Sequence, residues 1–329
     1  MILVMKDEQT ATEAVTKIKQ QTTQLVFQQT NRIGLPGIKE LAELSFIDSA
    51  AIVDVITKHP SAIKSSRLFQ PTDTIIKTAH SVIGGDNFVL MAGPDALETP
   101  EHVQTIGAAA KQAGATILRG GSFKPRTNPY SFQGIGEQGL QWHRQAADAL
   151  EMDMITEVMD TRDVALIGQY TDIFQVGARN MQNFSLLKEL GAQDKPVALK
   201  RGMSATIDEW LSAAEYLAAA GNDKIILIER GVRSFDNTYT RNMLDVSAIP
   251  VLRSLTHYPI LADPSHAAGV AQYVPAIGLA AVAAGAQGLM VELHDQPDKA
   301  LVDGAQALTT TQFATLANQV RQIKEITRG

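Results

Sequence analysis

Residues 196–231 read PVALKRGMSATIDEWLSAAEYLAAAGNDKIILIERG, and the fold is decided here. Residues 196–200 are a short apolar run that ends on a cation. Thr206-Ile-Asp-Glu209 is a capping box, in which the Thr and Glu side chains satisfy the free amides that open a helix. That helix carries Leu211, Ala214 and Leu217 on one face and stops at Gly221. A second apolar run, residues 224–228, follows and again ends in charge, Glu229-Arg230-Gly231. Continuous apolar runs, rather than alternating ones, predict strands covered on both faces. With a helix between them, such strands lie parallel.

The same unit recurs along the chain. Apolar runs stand at residues 88–92, 115–119, 154–156, 172–176, 196–200, 224–228, 258–262 and 288–292. Thr99-Pro100-Glu101 supplies an N-cap, a first-turn proline and a first-turn acid. Gly114, Gly191, Gly221 and Gly285 fall where helices should stop. The span 88–329 also has the size of one closed (β/α)₈ barrel, on the order of 250 residues. The expected fold is therefore a (β/α)₈ TIM barrel, with a doubly wound open sheet as the alternative. Residues 1–70 differ. A strand at 2–5, a helix near 11–20, strands near 24–27 and 39–44, a helix near 49–58 and a last run at 62–68 give the order of a small ferredoxin-like α+β domain. Residues 71–87 read as a connector.

Composition narrows the function. Lys plus Arg total 29 and Asp plus Glu 35, a net charge of −6, which argues against a nucleic-acid binder. Cysteine is absent, which excludes disulfides and thiolate chemistry. The N-terminus is unlike a signal peptide, and the longest apolar stretches are broken by Gln272, Tyr273 and Pro275. A soluble cytoplasmic protein with no membrane partner is expected.

In a (β/α)₈ barrel the chemistry sits at the C-terminal ends of the strands. Two groups of residues follow the apolar runs. One is basic: Arg119, Lys124, Arg126, Arg179, Lys200 and Arg230. In an acidic chain, six cations at one mouth repel one another unless anions bind there, and Arg forks and Lys suit phosphate and carboxylate. Each of them singly could equally pair with an acid or extend to solvent. The second group is Asp95, His266, Glu292 and Asp303, one imidazole and three carboxylates, a set suited to Mn²⁺, Mg²⁺ or Fe²⁺. Its spacing is no motif, and a histidine in a Pro-Ser-His turn is more often structural.

Lys124-Pro-Arg-Thr127, Gly177-Ala-Arg179, Asp263-Pro-Ser-His266 and Glu292-x-His294 resemble the signature segments of 3-deoxy-7-phosphoheptulonate (DAHP) synthases. The run RGGSFKPRTNPYSFQGIG, residues 119–136, resembles the short microbial form with an N-terminal ferredoxin-like domain. The resemblance implies a transferase of the shikimate pathway to aromatic amino acids, which condenses phosphoenolpyruvate with erythrose 4-phosphate. It implies that Arg119, Lys124, Gly177, Ala178, Arg179, Lys200 and Arg230 hold phosphoenolpyruvate, and that Lys124, Arg126 and Thr127 contact the sugar phosphate. Lys124, Glu157 and His266 would be catalytic, with Glu157 beside the phosphoenolpyruvate, holding the water that adds to it. Asp95 stands where the family has a metal-ligating cysteine, and His266, Glu292 and Asp303 match the other three ligands. Carboxylate for thiolate keeps the charge and shifts preference toward hard ions such as Mn²⁺. Metal-independent catalysis and lost activity remain alternatives at this point. So do a 3-deoxy-octulosonate 8-phosphate synthase using arabinose 5-phosphate and a non-catalytic binding paralogue. The N-terminal domain would bind Tyr or Phe or serve assembly into a homo-oligomer, dimer or tetramer.

Overall fold

The computed structural model describes all residues except 59–60, 125–127 and 328–329. The chain divides into two compact units, residues 1–73 with 254–257, and residues 74–253 with 258–329.

In the smaller unit β1 (Ile2–Met5) is followed by α1 (Glu8–Gln21), β2 (Phe27–Gln29), β3 (Arg32–Gly34) and β4 (Ile52–Ile56). The strands form one antiparallel sheet in the order β2-β3-β1-β4. Asp7 opens α1 with a capping box, and Ala11, Ala14, Val15 and Ile18 bury one helix face against Leu3, Met5, Ile33 and Leu35. A small α+β unit with an antiparallel sheet is thus present, but its expected second helix is not formed. Residues 49–58 instead make a single 3₁₀ turn, Ser49–Ala51, and then β4. The β-branched run Ile52-Val-Asp-Val-Ile56 accounts for this, because such side chains lose rotamer freedom in a helix and pack well on a sheet. The strand expected near 39–44 is likewise a 3₁₀ turn, Leu41–Leu44, and no strand forms over 62–68.

The larger unit begins with a hairpin, β5 (Ile76–Lys77) and β6 (Val82–Ile83), inside the stretch read as a connector. Eight parallel strands then close a barrel: β7 (Val89–Gly93), β8 (Ile117–Arg119), β9 (Asp153–Glu157), β10 (Ile173–Val176), β11 (Val197–Lys200), β12 (Ile225–Glu229), β13 (Ile260–Ala262) and β14 (Gly288–Glu292). Each expected apolar run is one of these strands, and closure through the β14–β7 pairing excludes the open doubly wound sheet. Between and after them run α2 (Pro100–Gln112), α3 (Glu137–Ala149), α4 (Val164–Tyr170), α5 (Phe184–Gly191), α6 (Ile207–Ala220), α7 (Ala248–Leu255), α8 (Pro264–Ala268), α9 (Val274–Ala283) and α10 (Thr310–Thr327). Side chains from every strand fill the interior, among them Val89, Ile117, Ile155, Ile173, Ala198, Ile226, Leu261 and Met290. Ile76 and Ile83 of the hairpin join that cluster, so the barrel is a packed core open to chemistry at its other end.

Neighbouring charges at the strand ends take different roles. Lys200 faces inward, whereas Arg201 turns to Glu229 at 2.8 Å and Asp245 at 3.0 Å and lies over the Trp210 ring. Glu229, fully buried, also accepts the Gly231 amide at 2.7 Å. This pair fastens the ends of β11 and β12 together.

Candidate active site

A cavity of about 450 Å³ opens at the C-terminal ends of the strands. Asp95, Arg119, Lys124, Glu157, Gly177, Ala178, Arg179, Lys200, Arg230, His266 and Asp303 all line it, so the barrel brings nearly every candidate residue together. Glu292 lies just beneath, its Oε1 3.3 Å from Arg119 Nη1 and 3.2 Å from His266 Nε2. Arg126 and Thr127 fall outside the described residues.

The cations divide by partner. Lys124 Nζ stands 2.6 Å from Asp95 Oδ2 and donates to the Asp95 carbonyl at 3.0 Å, and Arg119 Nη2 reaches Asp95 Oδ1 at 3.3 Å. Lys200 donates to Asp263 Oδ2 at 2.6 Å. Arg179, Arg230 and Arg233 line the same cavity with no acid partner among the described residues. Arg230 is 6% exposed and its Nη1 is buried without a hydrogen bond. Burial, with Arg241 and Arg179 near, holds its guanidinium below the usual range despite Asp263. An unpaired buried guanidinium is costly, and an incoming phosphate or carboxylate relieves the cost.

Glu157 faces this cationic wall. Burial pushes its carboxyl above the ordinary range, against the pull of Lys124 and Lys200. It can sit so close to the start of the next loop because residue 177 is glycine. A β-carbon there would stand 2.0 Å from Glu157 Oε1.

Asp95, His266 and Glu292 each offer a ligand atom within 4.8 Å of the others. Asp263 arranges the imidazole. It caps α8 by accepting the His266 amide at 2.9 Å, and its Oδ2 lies 2.7 Å from His266 Nδ1. That contact favours the proton on Nδ1 and leaves the Nε2 lone pair aimed at Glu292, the arrangement in which a carboxylate orients a metal-binding imidazole. Burial lowers His266 to about 4, so the ring is neutral. Burial raises Glu292 well above the usual range, as does the Asp95 charge, although Arg119 opposes them. Glu292 Oε2 takes a hydrogen bond from Gln306 at 2.7 Å, but its buried Oε1 has none. Burial raises Asp95 too, but Lys124 and Arg119 outweigh it and hold that carboxyl far down. A buried oxygen met only by the Arg119 guanidinium at 3.3 Å, facing an imidazole lone pair and near a second carboxylate, fits a divalent cation. Asp303, the fourth residue expected in this set, stands apart. It lines the cavity but turns its carboxylate to Arg241 at 2.9 Å.

Several lining residues escaped the sequence reading: Gln175, Arg233, Asn237, Arg241 and Asn242. Most belong to the irregular segment between β12 and α7, where no periodicity marks which side chains face the mouth. Nothing in the Asp263-Pro-Ser-His266 segment itself marks a role for Asp263.

Fold and site together define a (β/α)₈ enzyme with a cationic mouth beside a carboxylate–imidazole group able to hold a metal. A family model described as the DAHP synthetase I family matches residues 72–328. Phospho-2-dehydro-3-deoxyheptonate aldolase of Thermotoga maritima is 46% identical over 260 residues, 79% of this chain and 77% of that protein. A 2-dehydro-3-deoxyphosphooctonate aldolase of Syntrophobacter fumaroxidans is 30% identical over 264 residues, 75% of this chain and 90% of that protein. The crystal structure of the Thermotoga maritima DAHP synthase matches with a TM-score of 0.80 and 39% identity, covering 99% of this chain and 96% of that one. The chain belongs to the DAHP synthetase I family and is an enzyme. Among the described residues, no helix is long and apolar enough to cross a membrane.

The contact between residues 157 and 177 gives a test. In Gly177→Ala the new methyl displaces the Glu157 carboxylate from the cavity wall. Turnover is expected to fall at least tenfold, with the thermal midpoint changed by only a few degrees. Unchanged kcat/KM would show that the position of Glu157 does not matter.

Proposed function

We propose that the enzyme condenses phosphoenolpyruvate with erythrose 4-phosphate and water, giving 3-deoxy-7-phosphoheptulonate and phosphate. The single observation behind this reading is the set of cavity cations without acid partners, Arg179, Arg230 and Arg233, beside the paired Lys124, Arg119 and Lys200. Two phosphorylated substrates bring about five negative charges, each phosphate contributing ~1.5 to 2. They can be held in contact only against such a wall. Arg119, Arg179, Lys200 and Arg230, with Gly177 and Ala178, take the phosphate and carboxylate of phosphoenolpyruvate, and Lys124 lies where its reacting end meets the aldehyde. C3 of the enol attacks the aldehyde carbon, water adds at C2, and phosphate leaves by carbon–oxygen cleavage. We assign to Glu157, whose burial raises its affinity for a proton, the holding of that water and the uptake of its proton. Arg126 and Thr127 are assigned to the sugar phosphate by family resemblance. Greater identity to the heptonate enzyme, 46% against 30%, favours the four-carbon sugar over arabinose 5-phosphate.

Phosphate release assayed with each aldose decides the substrate, and a higher kcat/KM with arabinose 5-phosphate would overturn the proposal. Arg230→Ala should raise KM for phosphoenolpyruvate by about ten- to a hundredfold, the weight of a lost charged hydrogen bond at ~1.5–3 kcal/mol.

We further infer that Asp95, His266 and Glu292 hold a divalent ion of the Mn²⁺ class, with Asp303 reaching it only by leaving Arg241. Such an ion, when bound, supplies Lewis-acid polarisation of the aldehyde. An all-oxygen set plus one imidazole selects harder ions than a thiolate does. Asp95→Cys should therefore weaken Mn²⁺ and strengthen Cd²⁺ or Zn²⁺, each by at least tenfold in calorimetric titration. Unchanged affinities for both would place the ion elsewhere.

The N-terminal unit is proposed to carry Tyr or Phe regulation within a dimer or tetramer. Removal of residues 1–70 should abolish inhibition by either amino acid, and inhibition that persists in the truncated enzyme would refute the assignment.

A further inference from the structure

A second group of metal-binding side chains lies outside the cavity. Glu98, on the segment between β7 and α2, His102, in the first turn of α2, and His294, two residues past β14, offer ligand atoms that all lie within 4.8 Å of one another. None of the three lines the active-site cavity. The two imidazole rings are 4.4 Å apart between centroids. His294 Nε2 is 3.4 Å from Glu98 Oε1, and Asp295 Oδ1 lies 3.2 Å from His102 Nε2 and 3.3 Å from His294 Nδ1. The His102 side chain is 10% exposed and that of His294 7%.

Packing alone does not account for His102. Its Nδ1 has no hydrogen-bond partner, and its Nε2 meets only Asp295, at 3.2 Å. Burial, and then the adjacent His294, hold its pKa below the usual imidazole range, so a neutral ring presents its lone pair among carboxylates. A buried ring nitrogen left without a partner is unfavourable, and a cation bound there removes the penalty. Glu98 is already fixed, because its Oε1 accepts the Leu301 amide at 2.9 Å.

We propose that Glu98, His102 and His294 form a second metal site, distinct from the Asp95–His266–Glu292 group, for a borderline divalent ion of the Zn²⁺ class. Two imidazoles and one carboxylate are a donor set that zinc accepts with a fourth position left open. Asp295 sits behind the ligands. His294 Nδ1 accepts the Gln296 amide at 3.0 Å, so as the ion takes Nε2 the ring proton passes to Nδ1 against Asp295 and the Gln296 amide turns away. The site joins two segments, one carrying Asp95 and Glu98 and the other carrying His294, Leu301 and Asp303. An ion here clamps both edges of the inner group without entering the cavity.

Calorimetric titration of the full-length enzyme with Zn²⁺, on a His266→Ala background that disables the inner group, tests this. That variant is expected to bind one ion per chain, with a raised thermal midpoint. Adding His102→Ala should abolish the binding, and adding Glu98→Gln should weaken it at least tenfold. Circular dichroism before titration confirms that each variant is folded. A folded His266→Ala chain that binds no Zn²⁺, or one whose ion is indifferent to both further substitutions, would overturn the proposal. Because the inner group is disabled throughout, the result does not depend on what that group binds.

Discussion

In a closed barrel of parallel strands, every strand must deliver its last residue to the same rim, and the connections allow no exception. Residues scattered over some two hundred positions are thereby pressed into one mouth, whatever their charges. Among the described residues, seven basic side chains, Arg119, Lys124, Arg179, Lys200, Arg230, Arg233 and Arg241, line that mouth with only three carboxylates, Asp95, Glu157 and Asp303. The protein as a whole carries a net charge of −6, so the imbalance is local and is imposed by the architecture. Low dielectric behind the cavity wall strengthens each of these interactions, favourable or not. Chemistry that joins two anions suits such a place, because substrate charge and site charge each cancel what makes the other unstable.

Legibility in the sequence followed burial. Strands covered on both faces declare themselves as uninterrupted apolar runs, and residues 224–228 or 288–292 admit no other reading. The smaller unit lacks that signal. Its strands β2 and β3 are three residues each, too short for either alternation or a continuous run to mark them. The segment at 49–58 shows how spacing misleads when side-chain stereochemistry points the other way. At the site, the sequence could place Lys200 and Arg201, or Glu229 and Arg230, at a strand end, but not say which of each pair faces the cavity. That depends on the alternation of side chains at the strand's last residues. It separates Lys200, a cavity residue, from Arg201, which braces Glu229.

Asp95 illustrates a different limit. From its position alone it reads as a metal ligand, yet in the folded chain it also anchors Lys124 and Arg119. One carboxylate thus sets the place of two cavity-lining cations while contributing to the group that fits a divalent ion. No local pattern encodes such double duty. It follows from the 2.6 Å approach of a lysine that lies 29 residues further along the chain.

Asp263 carries the same theme into energetics. Its single oxygen Oδ2 holds Lys200 at 2.6 Å and His266 at 2.7 Å, one belonging to the anion wall and the other to the carboxylate–imidazole group. Whatever draws Lys200 toward an incoming anion loosens its hold on that oxygen and strengthens the oxygen's grip on the imidazole. The two subsites are therefore thermodynamically linked. By reciprocity, any factor by which occupancy of one changes affinity at the other must appear with the same size in the reverse direction. A buried carboxylate in a short turn thus couples a cavity cation at the end of β11 to an imidazole just beyond β13.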